Sequence, residues 1–182
     1  MTAEIDLDLP ELRDLVAYAA GSAGEVIAIF ERACPFDLRP REAIAEASRF
    51  AGGGRRVNAL RDAAWAALKA ALETEDRAAS EAARAAMCAS AAAFLHPLAR
   101  PTQVRHILGA AAHGARAAEL AAGDDPAVGH EFVERAAREV SPTVVDLLSR
   151  YPLAPAGGGR TEELLRILDQ KLRGNGAEGG AT

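Results

Sequence analysis

Apolar residues recur along this chain at helical spacing, and proline and glycine punctuate the recurrence. Asp8, Leu9 and Pro10 open the first helical stretch, with proline at a tolerated first-turn position. Leu12, Leu15, Val16, Ala19, Val26, Ile27 and Phe30 form its apolar stripe down to Ala33, and Pro35 ends it. Gly21 and Gly24 interrupt the stripe, as a kink or as a place where a neighbour comes close. A second helix follows Asp37, which is placed to cap it, with Ile44, Ala47 and Phe50 inward. Gly52-Gly53-Gly54 links it to a helix from about Asn58 to Glu73. There Leu60, Ala64, Trp65, Leu68 and Leu72 read as one face, with Trp65, the single tryptophan, as a core anchor.

Thr74 is placed to cap the next helix, with Glu75 and Asp76 in its first turn, as the helix dipole prefers. This helix runs through Ala85, Cys88 and Ala92 to Phe94. Alanine on nearly every side predicts that other helices surround it. His96, Pro97 and Pro101 break the pattern. Thr102 is placed to cap a new helix, on which His106, Gly109, Ala110, His113, Gly114 and Ala117 share one nearly smooth face. The helices on either side of the break are therefore expected to pair closely and antiparallel at the centre, with the smooth face against the partner. Gly123 closes the second of them. Asp125-Pro126 and Ser141-Pro142 start two more, with Phe132, Val133 and Ala136, then Val144, Leu147 and Leu148, inward. After a proline- and glycine-rich loop over 153–159, Thr161 is placed to cap a last helix carrying Leu164, Leu165, Leu168 and Leu172. No segment alternates with period two, so no sheet is expected. The fold class predicted is all-α: one compact bundle of about eight helices over residues 1–173, with solenoid-like stacking as the alternative, and a disordered glycine-rich tail over 174–182.

Composition narrows the picture. Aromatics make up only 4% of a chain that is 49% apolar, so stability must come from many close contacts between small side chains. The formal charge of −5 argues against nucleic acid or phosphate ligands, which call for a basic stripe. Two cysteines, Cys34 and Cys88, are too few for a disulfide framework or a Cys-rich zinc site, and each is expected to fill a helix interface. The first ten residues are acidic rather than basic-then-apolar, and no run of about 20 apolar residues occurs. A cytoplasmic protein with no membrane association is expected.

The candidate chemistry is sparse. Arg39 and Arg41 flank Pro40 at a helix start, where the dipole disfavours cations unless they pair. They form either structural ion pairs, with Asp37 or an acid elsewhere, or an anion or partner site; the ion pair is the expectation. His106 and His113 are seven apart, whereas helical zinc ligands sit four apart, so no metal is expected. No phosphate loop and no nucleophile elbow are present, and no cofactor is expected. The histidines are either helix-interface residues bonded to a carbonyl or carboxylate, or polar contacts in a pocket.

Three stretches resemble a family of bacterial proteins assigned as toxin immunity proteins, common in actinobacteria and related to the fifth class of polymorphic-toxin immunity proteins. They are Asp37-Leu38-Arg39-Pro40-Arg41-Glu42-Ala43-Ile44; Phe94 to Leu98 with Thr102 to His113; and Ser141-Pro142 to Arg160, with Leu148, Arg150, Tyr151 and Pro152. The resemblance implies an all-helical fold and a protein that binds and neutralises a cognate toxin without catalysis. The motif stretches supply the candidate binding residues Asp37, Arg39, Arg41, His96, Thr102, Gln103, His106 and His113. Some similar sequences carry an exonuclease-subunit label, which the lack of a Walker motif, a heptad arm and a C-x-x-C hook excludes here.

Two other classes stay open beside the immunity reading. One is a small-molecule-binding protein or enzyme, with a pocket between the central helices lined by His96, His106, His113, Arg39 and Arg41. The other is a module that self-associates, as a homodimer, through its Gly/Ala face. For the immunity reading, an acidic and rigid helical surface suits a basic nuclease-type toxin.

Overall fold

Alanine decides which helices lie inside. A helix whose side chains are mostly methyl groups can be approached closely from several directions at once, and the helix richest in alanine lies in the middle of this protein. The computed structural model describes residues 4–178, with side chains described through Gly174. Its helices are α1 (Leu9–Ala33), α2 (Arg39–Ala51), α3 (Asn58–Glu73), α4 (Arg77–Ala91), α5 (Val104–Ala121), α6 (Pro126–Glu139), α7 (Pro142–Ser149) and α8 (Arg160–Glu178). Short 3-10 turns, Ala92–Phe94 and Pro101–Gln103, bracket the break between α4 and α5. Among the described residues the strand-type pairing is one isolated bridge, Glu4 to Leu98.

α4 and α5 run antiparallel at the centre, as the pattern predicts. α4 is covered by α1, α2 and α3, and α5 by α1, α6 and α8. α1 lies across both, so the bundle closes on itself rather than stacking each helix on its chain neighbours alone, as a solenoid would. The core runs from Ile5 through Phe30, Phe50, Ile107 and Phe132 to Leu172.

The small residues of α5 are divided among its neighbours instead of sharing one. A side chain at Gly109 would meet Cys88 Sγ of α4 at 3.1 Å. One at Gly114 would meet Phe132 Cζ of α6 at 2.8 Å and the Ser22 carbonyl oxygen of α1 at 3.4 Å. The expectation that this face is a single seam against α4 is corrected on that geometry: α5 is buried on nearly every side. Gly21 and Gly24 admit no neighbour at all, and α1 runs unbroken through both.

Trp65 is the largest departure. It is 66% exposed, and Leu72 is 67% exposed. The buried positions of α3 are Leu60, Ala64, Ala67, Ala70 and Ala71. Beyond Leu60 the inward positions are alanines, because α4 packs closely there, and Trp65 and Leu72 are turned outward.

Several caps also shift. Asp8 and Glu11 form a reciprocal capping box at the start of α1. Asp76, not Thr74, caps α4, accepting the Ala79 N–H at 3.0 Å. Thr102 lies exposed in the 3-10 turn that leads into α5, and no side chain caps that helix. Thr161 sits inside α8, which begins at Arg160. Asp37 stands two residues before the first position of α2, with Leu38 in the cap position, and accepts the Arg39 N–H at 3.1 Å. Asp125 and Ser141 cap α6 and α7 as expected. α8 remains helical to Glu178, past the expected end at Arg173; residues 179–182 of the expected tail lie outside the described residues.

α8 is fixed over α5 by a buried acid. Glu119 of α5 is 1% exposed and receives Arg160 Nη2 of α8 at 2.6 Å and Arg116 Nη1 at 2.8 Å. Arg116 also reaches Asp124 at 2.5 Å. No helix among the described residues is long and apolar enough to cross a membrane.

Candidate functional groove

Setting α8 over the antiparallel pair leaves a cavity of about 190 Å³ between α4, α5 and α8. α5 contributes Arg105, His106, Gly109 and His113, α4 contributes Met87, Cys88 and Ala91, and α8 contributes Thr161, Glu162 and Leu165. Helical spacing accounts for the set. Glu81 and Cys88 are two turns apart on α4, and His106 and His113 two turns apart on α5, so antiparallel packing brings Glu81 to His113 and Ala91 to His106.

His113 Nδ1–H donates to Glu81 Oε2 at 2.6 Å, and the Thr161 hydroxyl donates to the same oxygen at 3.4 Å. Burial opposes the charge on this imidazole, but hydrogen bonds to Cys88 and Glu81 outweigh it, and its pKa rises to about 10. Glu81 is held below the usual carboxylate range: its own burial works upward, and the His113 bond and charge overcome it. The pair is an imidazolium–carboxylate bridge joining α5 to α4. His106 behaves in the opposite sense. Burial lowers its pKa, and the bond to the Ala91 backbone compensates only in part.

His106, Met87 and Ala91 also wall a second, more open lobe of about 270 Å³ on the other side, lined by Arg61, Ala64, Trp65, Leu68 and Phe94. The two lobes share that wall: the one on the α8 side carries the titratable groups, and the one on the α3 side is apolar apart from Arg61 and His106. Arg61 lies over the Phe94 ring, 4.5 Å from its centroid.

Of the eight candidates read from the sequence, His106 and His113 line this groove, and Asp37, Arg39, Arg41, His96, Thr102 and Gln103 do not. The expected pocket of three histidines and two arginines is corrected accordingly. Arg39 donates to Asp37 Oδ2 and to Glu73 Oε2, each at 2.6 Å, and ties the start of α2 to the end of α3. Arg41 pairs with Glu31 of α1. Both are the structural ion pairs the sequence favours. The His96 N–H donates to Gln103 Oε1 at 2.9 Å, and its carbonyl accepts the Tyr151 hydroxyl at 3.0 Å, which folds the proline break onto the segment after α7. Sequence reasoning missed Glu81, Cys88, Arg105 and Trp65. The matched seven-residue spacings on two helices already expected to pair were the available signal for Glu81 and Cys88. Among the described residues no three His, Cys, Asp or Glu side chains gather in a way that could hold a metal ion.

No curated protein and no solved structure matches this chain. A family model does match, over residues 7–141, and so takes in α1 through α6, including both helices that carry the groove histidines. The last of the three stretches that carry the resemblance, Ser141-Pro142 to Arg160, begins where this match ends. The match covers well over half of the sequence, and on it the chain belongs to the family described as Imm-5 like putative immunity protein.

Proposed function

We propose that the protein neutralises a cognate toxin by binding it, without turnover. The family match over residues 7–141 carries this reading. The character of the surface supports it: large apolar side chains stand exposed beside a groove built on the most buried pair of helices, an arrangement that presents a rigid contact surface at little entropic cost on binding. The test is expression of the toxin gene adjoining this one, with and without the chain. Survival of the host only with the chain present, and a stoichiometric complex of the two purified proteins, is the expected result. Turnover of the toxin or of its product that disappears in a His106→Ala variant of unchanged fold would overturn it.

The cavity favours a second reading, a small-molecule-binding protein or enzyme. Its polar end sets the Cys88 thiol beside the His113 imidazole, whose far nitrogen is oriented by Glu81, an order of groups that thiol chemistry uses. A thermal-shift screen of metabolites against the wild type and His113→Gln separates this reading from pure protein binding.

A further inference from the structure

Two properties of the apolar lobe bear on what it can hold. It is lined by large or pliable side chains, Trp65, Leu68, Met87 and Phe94, yet it opens to solvent. Its lining also holds a cation, Arg61, and no carboxylate, although the chain as a whole carries −5. Arg61 stands at one edge, stacked on Phe94, and among the described residues it pairs with no carboxylate. Arg105 stands on the far side of His106, with Glu162 as its partner at 3.6 Å.

Each property constrains an occupant. A volume of about 270 Å³ falls just below the roughly 300–1,000 Å³ of pockets that enclose drug-sized molecules, so it suits one or two anchoring side chains of a larger partner. Tryptophan and arginine are the residue types that most often dominate protein interfaces, and methionine lets a pocket adapt its shape to what enters. An unpaired guanidinium at the edge favours a carboxylate and disfavours a lysine or arginine.

We propose that this lobe is the seat of the toxin, and that it takes an apolar segment of the toxin with a carboxylate next to the anchoring side chain. The proposal rests on the immunity reading. In it, the acidic remainder of the surface steers a basic toxin towards the protein over long range, and Arg61 at the edge of the lobe fixes the register of the bound segment.

The test uses the full chain and the purified, catalytically inactivated product of the adjoining toxin gene, with binding followed by interferometry and folding by circular dichroism. Trp65→Ala is expected to weaken binding at least about thirtyfold, the effect of a hot-spot truncation. Arg61→Glu is expected to weaken it about tenfold or more, by turning attraction for the carboxylate into repulsion. Phe36→Ala, at a position that is 97% exposed and outside the groove, is expected to stay within about twofold of wild type. Unchanged affinity in both groove variants, while the wild type binds, would overturn this proposal and leave the immunity reading standing. Equal losses in Trp65→Ala and Phe36→Ala would also overturn it, as general apolar adhesion. Self-association that Trp65→Ala abolishes while toxin affinity holds would overturn it in favour of a second copy of the chain as occupant. Absence of any complex with the wild type would remove the immunity reading and this proposal with it.

Discussion

The Glu119 carboxylate occupies the space that Gly129 leaves by having no side chain: a Cβ at Gly129 would run into it. The absence of one methyl group on α6 is what lets a buried acid on α5 reach Arg160 of α8. Removing the acid takes one of two carboxylate partners from each arginine, leaving Arg160 with Glu163 and Arg116 with Asp124. Breaking such a pair costs about 3–5 kcal/mol when it is fully buried. Arg160 is partly exposed, so Glu119→Ala is expected near the lower end. Gly129→Ala should also destabilise the fold. In Glu119→Ala the obstacle is gone, so the double variant should lose less than the sum of the two single losses, by more than about 0.5 kcal/mol. Denaturant unfolding of the four proteins measures this, and strict additivity would remove the coupling.

Glycine plays opposite parts in α5 and α1. Gly109→Leu forces a branched side chain against Cys88 and should cost about 1–3 kcal/mol or more by overpacking. Gly21→Ala meets nothing within 4 Å and removes the entropic penalty of glycine within a helix. It should stabilise the protein by about 0.5–1 kcal/mol. Melting temperatures moving in the same direction for both variants would contradict the packing described.

The His113–Glu81 bridge sets a pH dependence. The folded pKa of His113, about 10, lies above the ordinary value of about 6.5, so the folded state holds this proton more tightly than the unfolded chain does. Its contribution is complete below about pH 6.5 and is lost as pH rises towards about 10. His106 has the opposite sign. Its lowered pKa gives a contribution that is present above the unfolded value and lost as the solution is acidified. The difference in unfolding free energy between wild type and His113→Gln should therefore shrink steadily from neutral pH to about pH 10. A constant difference over that range would mean that the imidazole is uncharged in the folded protein.

Much of this was legible in the sequence because capping and proline signals act locally. Asp8, Asp125-Pro126 and Ser141-Pro142 start helices where they were expected to. Thr74 and Asp76 show the limit of such signals. Both are good cap formers two residues apart, and only the packing of α4 decides between them. Trp65 shows a deeper one. Apolar periodicity places the largest side chain inward, but in a bundle packed on alanine the spacing between helices is set by methyl groups. The small residues of α3 then occupy the inside, and tryptophan is left for the surface. The groove escaped the sequence for the same reason. His106 and His113 could be placed on one face, but the residues opposite them depend on the register of α4 against α5. That register follows from the contact between Cys88 and Gly109, which no local pattern encodes.

The paired arginines and the groove histidine separate structural from binding roles. Arg39 bridges Asp37 and Glu73 in a partly exposed position, so Arg39→Ala should cost about 1 kcal/mol or less of stability. It should leave the toxin affinity of the folded fraction unchanged. His106 walls both lobes and holds no carboxylate among the described residues, so His106→Ala should lower affinity while the melting temperature stays near that of the wild type. The exposed acids Glu42, Glu75 and Glu131 have no ion pair among the described residues, and they supply part of the net negative charge. Reversing all three to lysine should slow association with a basic toxin more than it speeds dissociation, because charges outside the buried contact act mainly on the encounter. The effect should fade as salt is raised. Stopped-flow association and dissociation rates, taken at two salt concentrations, measure both. If the reversal changes only the dissociation rate, those acids lie inside the contact, and the binding face would have to be moved from the Trp65 groove to the helix surfaces that carry them.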